Sequence, residues 1–528
     1  MIRKRVLLGL LLAALFALGW WVGRGGATGD LYGNLDLFVE VLNKVEQNYV
    51  DPVDPGKLVD GALRGMLRNL DPYSQYLDAK GFANLKNATQ GTFGGIGVVV
   101  SVRDNYPTVI SPLEGSPAWL AGLRSGDQIV KIDGQSSAGL TIDEAAGKLR
   151  GPEGTPVTIT VRREGESDEH DVTLERKIIV THSVPYAFVV GNGVGYVRLS
   201  GFSEKSGAEV RAALESLRQG GARGVVLDLR QNPGGLLEQA VDVAQQFLPK
   251  GTLVVQTRGR IHGQDQRYYA TETGAERHWP LVVLADNGSA SAAEIVAGAL
   301  QDLDRALVIG RTTFGKGSVQ SVFPLRGSNA ALKLTTARYY TPSGRSIHRV
   351  VQDTTASDED DTEEPPAPAP DSTPAPRFRT AGGRTVYGGG GITPDLAVQA
   401  DSLPPLTLAV ERRGLPFRFA NRWVNTHPGV RPAATLPDGM WDEFTSFLGA
   451  EKVEVDAARL GAERPLLQRA LRRELARRVS GDAAAARVAL EGDPVFARAL
   501  EILSRARTPG DVFAAAGPEP ARAGAAAR

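Results

Sequence analysis

Residues 281–320 constrain this chain more than any other stretch. An apolar run, Leu281-Val282-Val283-Leu284-Ala285, meets a turn at Asp286-Asn287-Gly288. A helical pattern follows, with Ile295, Val296, Ala299, Leu300 and Leu303 at helical spacing, and then a second apolar run, Ala306-Leu307-Val308-Ile309. The spacing reads as strand, turn, helix, strand, closed by a Gly-rich turn through Gly315 and Gly317. Comparable units precede it: strands over 193–199, 224–230 and 253–257, helices over 204–218 and 236–248. A further strand over 331–340 completes the set, and the alternation predicts an α/β fold from about residue 178.

Two side chains in this stretch carry chemistry. Ser291 opens the helix, where the positive end of the helix dipole favours a developing alkoxide and a nearby oxyanion. A serine nucleophile needs a base. The six histidines stand in no triad context, and the chain has neither Gly-x-Ser-x-Gly nor His-Glu-x-x-His. Serine–lysine chemistry remains, with Lys316 as the base. That lysine must be neutral to act, so burial has to lower its ordinary pKa of about 10.4 by several units. Phe314, Val319 and Val322 offer apolar cover. Gln320, four residues on, can orient the amine if the local turn is helical. Ser289 is the alternative nucleophile. An oxyanion hole needs two backbone N–H groups; Ala292 supplies one and the Gly234-Gly235 turn the other, with the choice between its glycines open. Taken singly, each of these residues reads as a cap or a surface group, and only their joint context selects them. The run from Gly310 to Lys316 also spells most of a phosphate loop. The position that should carry Ser or Thr is Gly317, and no long helix follows.

Upstream, Gly91-Thr92-Phe93-Gly94-Gly95-Ile96-Gly97-Val98 feeds a β-rich run. Ser125-Gly126-Asp127-Gln128-Ile129-Val130, a helix over 141–150 and a strand over 157–163 follow. This segment, 90–177, resembles a PDZ domain. Such a domain binds a peptide as an added strand and seats its C-terminal carboxylate on unpaired N–H groups of a Gly-rich loop. Gly95, Ile96, Gly97 and Val98 match that loop. Arg150 ends the helix; it either solvates the helix end or senses peptide occupancy by contacting the catalytic domain.

Arg3, Lys4 and Arg5 precede a charge-free run over 6–22, of a length between a secretory h-region and a membrane span. Residues 1–26 are therefore expected to be a signal anchor, or a signal peptide cut near Gly25-Gly26-Ala27. The remainder would be exported, facing the periplasm or cell exterior, with the basic side left in the cytoplasm. Residues 30–89 form a helical region. Residues 351–380 are an acidic and Pro-rich insertion. Residues 401–528 are a helical extension ending in a low-complexity tail, with helices over 466–479 and 495–506. Sixty basic and sixty acidic residues leave no basic surface to argue for nucleic acid, and the absence of cysteine excludes disulfides and thiolate sites.

Several motifs together resemble the carboxy-terminal processing peptidases, or tail-specific proteases. They are the PDZ-like segment, Asp228-Leu229-Arg230-Gln231-Asn232-Pro233-Gly234-Gly235, Ser289-Ala290-Ser291-Ala292-Ala293-Glu294-Ile295 and Thr313-Phe314-Gly315-Lys316-Gly317-Ser318-Val319-Gln320. Leu70-Asp71-Pro72-Tyr73-Ser74 and the stretch 388–395 extend the likeness to residues 30–400. The resemblance implies a serine endopeptidase domain over 178–350 and 381–400, built of ββα units like the crotonases and Clp proteases, with an inserted PDZ domain. It implies Ser291 as nucleophile, Lys316 as base and Gln320 orienting it, with no metal or cofactor. Substrates would be proteins with free, apolar C-termini, and a homodimer is compatible with the helical region. The competing reading is a PDZ peptide-binding scaffold whose protease-like domain is inactive.

Overall fold

The computed structural model describes residues 31–163, 168–349, 375–399, 402–427, 429–431, 435–454 and 456–517. The apolar run over 6–22, most of the acidic insertion and the tail after residue 517 lie outside them. Among the described residues, no helix is long and apolar enough to cross a membrane.

The chain divides into two compact units. The smaller one holds residues up to Asp78 together with Val322–Leu334. Its helices are Leu31–Asn48 and Pro55–Arg68, and a short strand, Gln75–Leu77, pairs antiparallel with Ala331–Lys333. Asp54 caps the second helix by accepting from the Gly56 N–H, with Pro55 at the first helical position where its missing N–H costs nothing.

The larger unit contains a six-stranded sheet. Its strands are β1 (Tyr186–Val190), β2 (Val194–Arg198), β3 (Gly224–Asp228), β4 (Leu281–Ala285), β5 (Leu307–Gly310) and β6 (Leu396–Ala397), side by side in that order. Only the first pair is antiparallel; the rest are parallel. One face packs on α1 (Ser206–Gln219), α2 (Leu237–Ala244) and α3 (Ala292–Asp302) through Val225, Leu227, Val283, Val308 and their neighbours. The other face presents Phe188, Tyr196, Val226, Val282, Leu284, Leu307 and Ile309. With both faces covered, β4 is apolar throughout, because no position along it meets water.

What covers the second face is the C-terminal extension. It comprises α4 (Pro405–Arg412), α5 (Leu415–Thr426), α6 (Met440–Ala450), α7 (Ala457–Ser480), α8 (Asp482–Leu490), α9 (Pro494–Arg505) and α10 (Asp511–Ala516). Leu490, Val495, Phe496, Ala499, Ile502, Leu503 and Val512 fill the sheet face, and Phe496 meets Tyr196 edge to face at 5.6 Å. The remaining helices share a core of their own around Leu415, Phe419, Trp423, Phe444, Leu467 and Leu471.

The PDZ fold lies between two connecting strands, Thr92–Gly95 and Lys177–Val180, which pair antiparallel. Inside it, Val98–Arg103, Tyr106–Pro112, Gln128–Ile132, Pro156–Arg162 and His170–Glu175 form one antiparallel sheet in that order. Val98–Arg103 is an edge strand. The helix Ile142–Leu149 starts at a full capping box between Thr141 and Glu144 and ends at Arg150.

Two expectations are corrected. Residues 375–380, assigned to the insertion from the sequence, belong to the described fold, where Arg377–Arg379 pairs with Thr385–Tyr387 around the glycine turn at Gly383. Gln320 lies on a strand, Ser318–Pro324, not on a helical turn. Its neighbours Val319, Ser321 and Val322 already carry the β-branched, alternating character of a strand.

Candidate active site

Ser291 stands where β4 has turned into α3. The turn is set by Asp286, whose Oδ1 accepts from the N–H groups of Gly288 (3.0 Å) and Gln231 (2.8 Å). Ser291 itself has φ 54° and ψ −116°. A non-glycine residue held there stores roughly 1–3 kcal/mol of backbone strain, which persists only because the surroundings over-determine it. Strand-to-helix elbows expose nucleophilic serines by the same device. The Ser291 hydroxyl caps no helix N–H and makes no hydrogen bond to a described residue, Lys316 included.

Ser289, the alternative nucleophile, is enclosed and its hydroxyl already engaged. It is fully buried, its Oγ donating to the Leu229 carbonyl at 2.8 Å and accepting from the Asp286 N–H at 3.0 Å.

Lys316 lies in a loop held by its backbone. Phe314 N–H donates to the Ser289 carbonyl (3.0 Å), Arg349 N–H to the Gly315 carbonyl (2.9 Å) and Tyr339 N–H to the Gly317 carbonyl (3.0 Å). Gly391 must be glycine: at φ 96° a Cβ would stand 2.5 Å from the Thr313 carbonyl oxygen. The segment after the acidic insertion is therefore one wall of the lysine loop.

Glu294 joins the two loops. Its carboxylate is wholly buried and accepts from the Ser291 N–H (2.9 Å), the Lys316 N–H (2.8 Å), the Gly315 N–H (2.7 Å) and the Thr313 hydroxyl. Thr313 Oγ1 in turn accepts from the Ile392 N–H at 2.7 Å. Burial pushes the Glu294 carboxyl above the ordinary range, against the four donors, which pull it down. The Tyr339 hydroxyl lies between the carbonyls of Ser291, at 3.0 Å, and Lys316, donating to one or the other. Sequence reasoning missed both residues. For Glu294 a signal was present, since a glutamate three residues after a helix-opening serine is half of a capping box.

The turn 229–235 forms the opposite wall. Gly234 (φ 98°) approaches so closely that a Cβ on it would be 2.7 Å from the Ser291 Cβ. Its N–H is spent on the Asn232 side-chain oxygen at 2.9 Å, which rules it out as a free oxyanion donor. The N–H groups of Gly235 and Ala292 have no acceptor among the described residues. Asn232 also accepts the Ala290 N–H on its carbonyl (2.9 Å), so the turn is bonded directly to the serine loop.

Gln320 is not bonded to Lys316. Its Nε2 donates to Ser318 Oγ (2.9 Å) and Thr335 Oγ1 (3.4 Å). In the PDZ loop, the carbonyls of Ile96 and Gly97 accept from Ala118 and Leu113, while the N–H groups of Ile96 and Gly97 have no acceptor among the described residues. Gly95 is drawn into the connecting strand opposite Lys177, and Val98 begins the edge strand opposite Pro112. The Arg150 guanidinium lies over the Phe93 ring at 5.0 Å, on that same connecting strand, and forms no ion pair among the described residues.

A peptidase-type α/β domain carrying a PDZ domain is the class that this fold defines. Family models agree with it: Peptidase family S41 matches residues 193–356, a PDZ domain matches 108–163, and the activating protease CtpB N-terminal domain matches 27–81. The chain is 45% identical over 325 residues to the carboxy-terminal-processing protease of Bartonella bacilliformis, covering 61% of this chain and 74% of that one. It is 36% identical to the carboxy-terminal processing protease CtpA of Bacillus subtilis, over 62% of this chain and 69% of the relative. Against the carboxyl-terminal-processing protease of a Synechocystis strain it is 41% identical, over 55% and 68%. The chain belongs to the carboxy-terminal-processing proteases, serine peptidases of family S41.

Proposed function

We propose that this peptidase captures protein substrates by their free C-termini in the PDZ domain and cuts them near that end, with Ser291 as nucleophile and Lys316 as base. The observation that carries the reading is the common anchorage of the two residues on the Glu294 carboxylate. An incoming substrate excludes water and brings the neutral Lys316 amine onto Ser291 Oγ. The amine takes the hydroxyl proton as Oγ attacks the scissile carbonyl. The N–H groups of Ala292 and Gly235 receive the oxyanion. The lysine ammonium then protonates the leaving amine, and the acyl-enzyme is resolved by a water activated by the same lysine. Gln320 can serve the amine only after its side chain leaves Ser318 and Thr335.

At the PDZ domain, the substrate adds as a strand along Val98–Arg103, with its carboxylate on the N–H groups of Ile96 and Gly97. The exposed apolar side chains of the Leu31–Asn48 helix, which buries none of its residues, are offered to a second copy of the chain. The basic-flanked apolar run over 6–22 supports export and a location on the outer side of a membrane as part of this reading.

An inactive peptide-binding scaffold is favoured by one observation, the unengaged Ser291 hydroxyl. One assay separates the readings. The chain is incubated with an unstructured protein ending in apolar residues, and with the same protein amidated at its C-terminus. Wild type should cut the free acid faster, and Ser291→Ala and Lys316→Ala should each stop cleavage. Undiminished turnover by Lys316→Ala would eliminate the lysine as base, and equal rates on both substrates would eliminate C-terminal capture.

A further inference from the structure

The C-terminal helices reach both ends of the enzyme's task. On the PDZ side, the Arg103 guanidinium lies 4.4 Å from the centre of the Phe417 ring, and Arg418 is 3.9 Å from Asp104. Ser111 Oγ meets Asp482 at 3.4 Å, and a Cβ on Gly126 would touch the Asn421 Cβ at 3.5 Å. On the catalytic side, α9 lies across the sheet. Between these seats α7 packs on α8. Arg472 of α7 grips Glu491 with both ends of its guanidinium, at 2.7 and 3.0 Å, two residues before Asp493.

Asp493 gives each carboxylate oxygen a separate task. Oδ1 caps α9, accepting from the N–H groups of Val495 (2.9 Å) and Phe496 (3.1 Å). Oδ2 accepts from Arg230 Nη1 at 2.5 Å. Arg230 turns its remaining donors inward: Nε and Nη2 clasp the buried Asp228 at 2.6–3.1 Å, and its own N–H bonds the same carboxylate. Asp228 also accepts from the Tyr196 hydroxyl at 2.8 Å. Arg230 thus fixes the first step of the turn 229–235. Two residues later Asn232 bonds Ala290, and Gly234 seats against Ser291.

We infer that Asp493 is a positioning residue of the peptidase site: from the C-terminal helices it latches Arg230, and through Arg230 the turn that offers the Gly235 N–H beside Ser291. The inference rests on the reading of Ser291 as nucleophile. A half-buried arginine shared between two carboxylates has one orientation; released by one of them it gains others, and the oxyanion donor loses definition. A donor aimed at the reacting oxygen stabilises the transition state far more than the bound substrate. The latch should therefore show in kcat and leave KM unchanged.

Asp493→Asn separates the latch from the cap. Asparagine caps helices as well as aspartate, so α9 keeps its start, while an NH2 replaces the oxygen that faced Arg230. The full chain is assayed as wild type, Asp493→Asn, Asp493→Glu and Ser291→Ala on the free-acid protein substrate. A peptide boronate, which forms a tetrahedral adduct on a serine, supplies a second readout. Asp493→Asn should lower kcat about 5- to 20-fold, hold KM within twofold, and weaken the boronate by the same factor as kcat. Asp493→Glu should recover most of both. Thermal melting should place all variants within a few degrees of wild type. An Asp493→Asn enzyme with wild-type kcat and boronate affinity overturns the latch while the Ser291 reading stands. A kcat loss that tracks a loss of folded protein overturns it as well. Cleavage that persists in Ser291→Ala overturns the site reading and the latch together.

Discussion

Ser291 and Lys316 donate their backbone N–H groups to one and the same oxygen, Oε2 of Glu294, at 2.9 and 2.8 Å. The serine loop and the lysine loop are built on different crossovers of the sheet, yet their registration is set by this single acceptor. A carboxylate suits the position because it has acceptor sites only, and four donors converge on it.

Glu294→Gln tests that requirement. An amide brings an NH2 group against donors that must find an acceptor, and each stranded buried donor costs about 1–3 kcal/mol. The expected result is a fall in kcat/KM of about 100-fold, measured by peptide cleavage on protein whose circular dichroism is still that of the folded chain. A glutamine variant with wild-type kcat/KM would show that the shared acceptor is dispensable.

The two serines of the motif should separate cleanly. Ser289→Ala removes a bond to the Leu229 carbonyl and one from the Asp286 N–H, so it should lower stability by about 1–3 kcal/mol and leave kcat/KM within about fivefold. Ser291→Ala should melt like wild type, or slightly higher, and hydrolyse nothing. The reverse pattern in the same pair of assays would move the nucleophile to Ser289.

Acid should weaken the turn 229–235 through Asp228. Burial raises its carboxyl, but the bonds from Arg230 and the charges of Arg230 and Arg198 outweigh burial and hold it below the ordinary carboxylate range. A depressed folded pKa means the unfolded chain binds the proton more readily. The stabilisation is therefore complete above the unfolded value of about 4 and is lost as pH falls through the folded one. Arg230→Gln, which leaves a buried carboxylate short of its main partner, should cost about 3–5 kcal/mol at neutral pH. The gap to wild type should narrow below about pH 4. Melting curves at pH 7, 4 and 3 decide it; a gap that stays constant across the series would rule out an ionised Asp228 as its source.

The extension should prove inseparable from the peptidase domain. Phe496→Ala opens a cavity against Tyr196 and should destabilise by about 3–5 kcal/mol. A chain stopped after residue 399 leaves Phe188, Val226, Val282, Leu284 and Ile309 in water, and should aggregate on expression. A soluble, monomeric and active 1–399 chain would refute the packing role argued for α9 and α10.

Much of this was legible in the sequence because it is local. The apolar runs that became β4 and β5, the helix that Ser291 opens and the Gly-rich turns follow from spacing alone. What stayed hidden depends on contacts between distant segments. Gln320 looked able to reach Lys316 along a helical turn, but pairing in a strand sent its amide to Ser318 and Thr335. Gly234 and Gly235 are equivalent as sequence, and only the Asn232 side chain, by occupying one N–H, distinguishes them. No periodicity in the extension reveals that Asp493 meets Arg230, because the partner lies 263 positions earlier.

The second face of the catalytic sheet has a consequence for the timing of biosynthesis. Chains are made from the amino end, and β1 to β5 are complete by residue 310, whereas the side chains that close their outer face come from residues 490 to 512. The nascent peptidase therefore carries its serine, its lysine and a bare apolar sheet for some two hundred residues of synthesis before its core can close. The sheet that carries Ser291 and Lys316 on its loops can close its outer face only once α8 to α10 have been made.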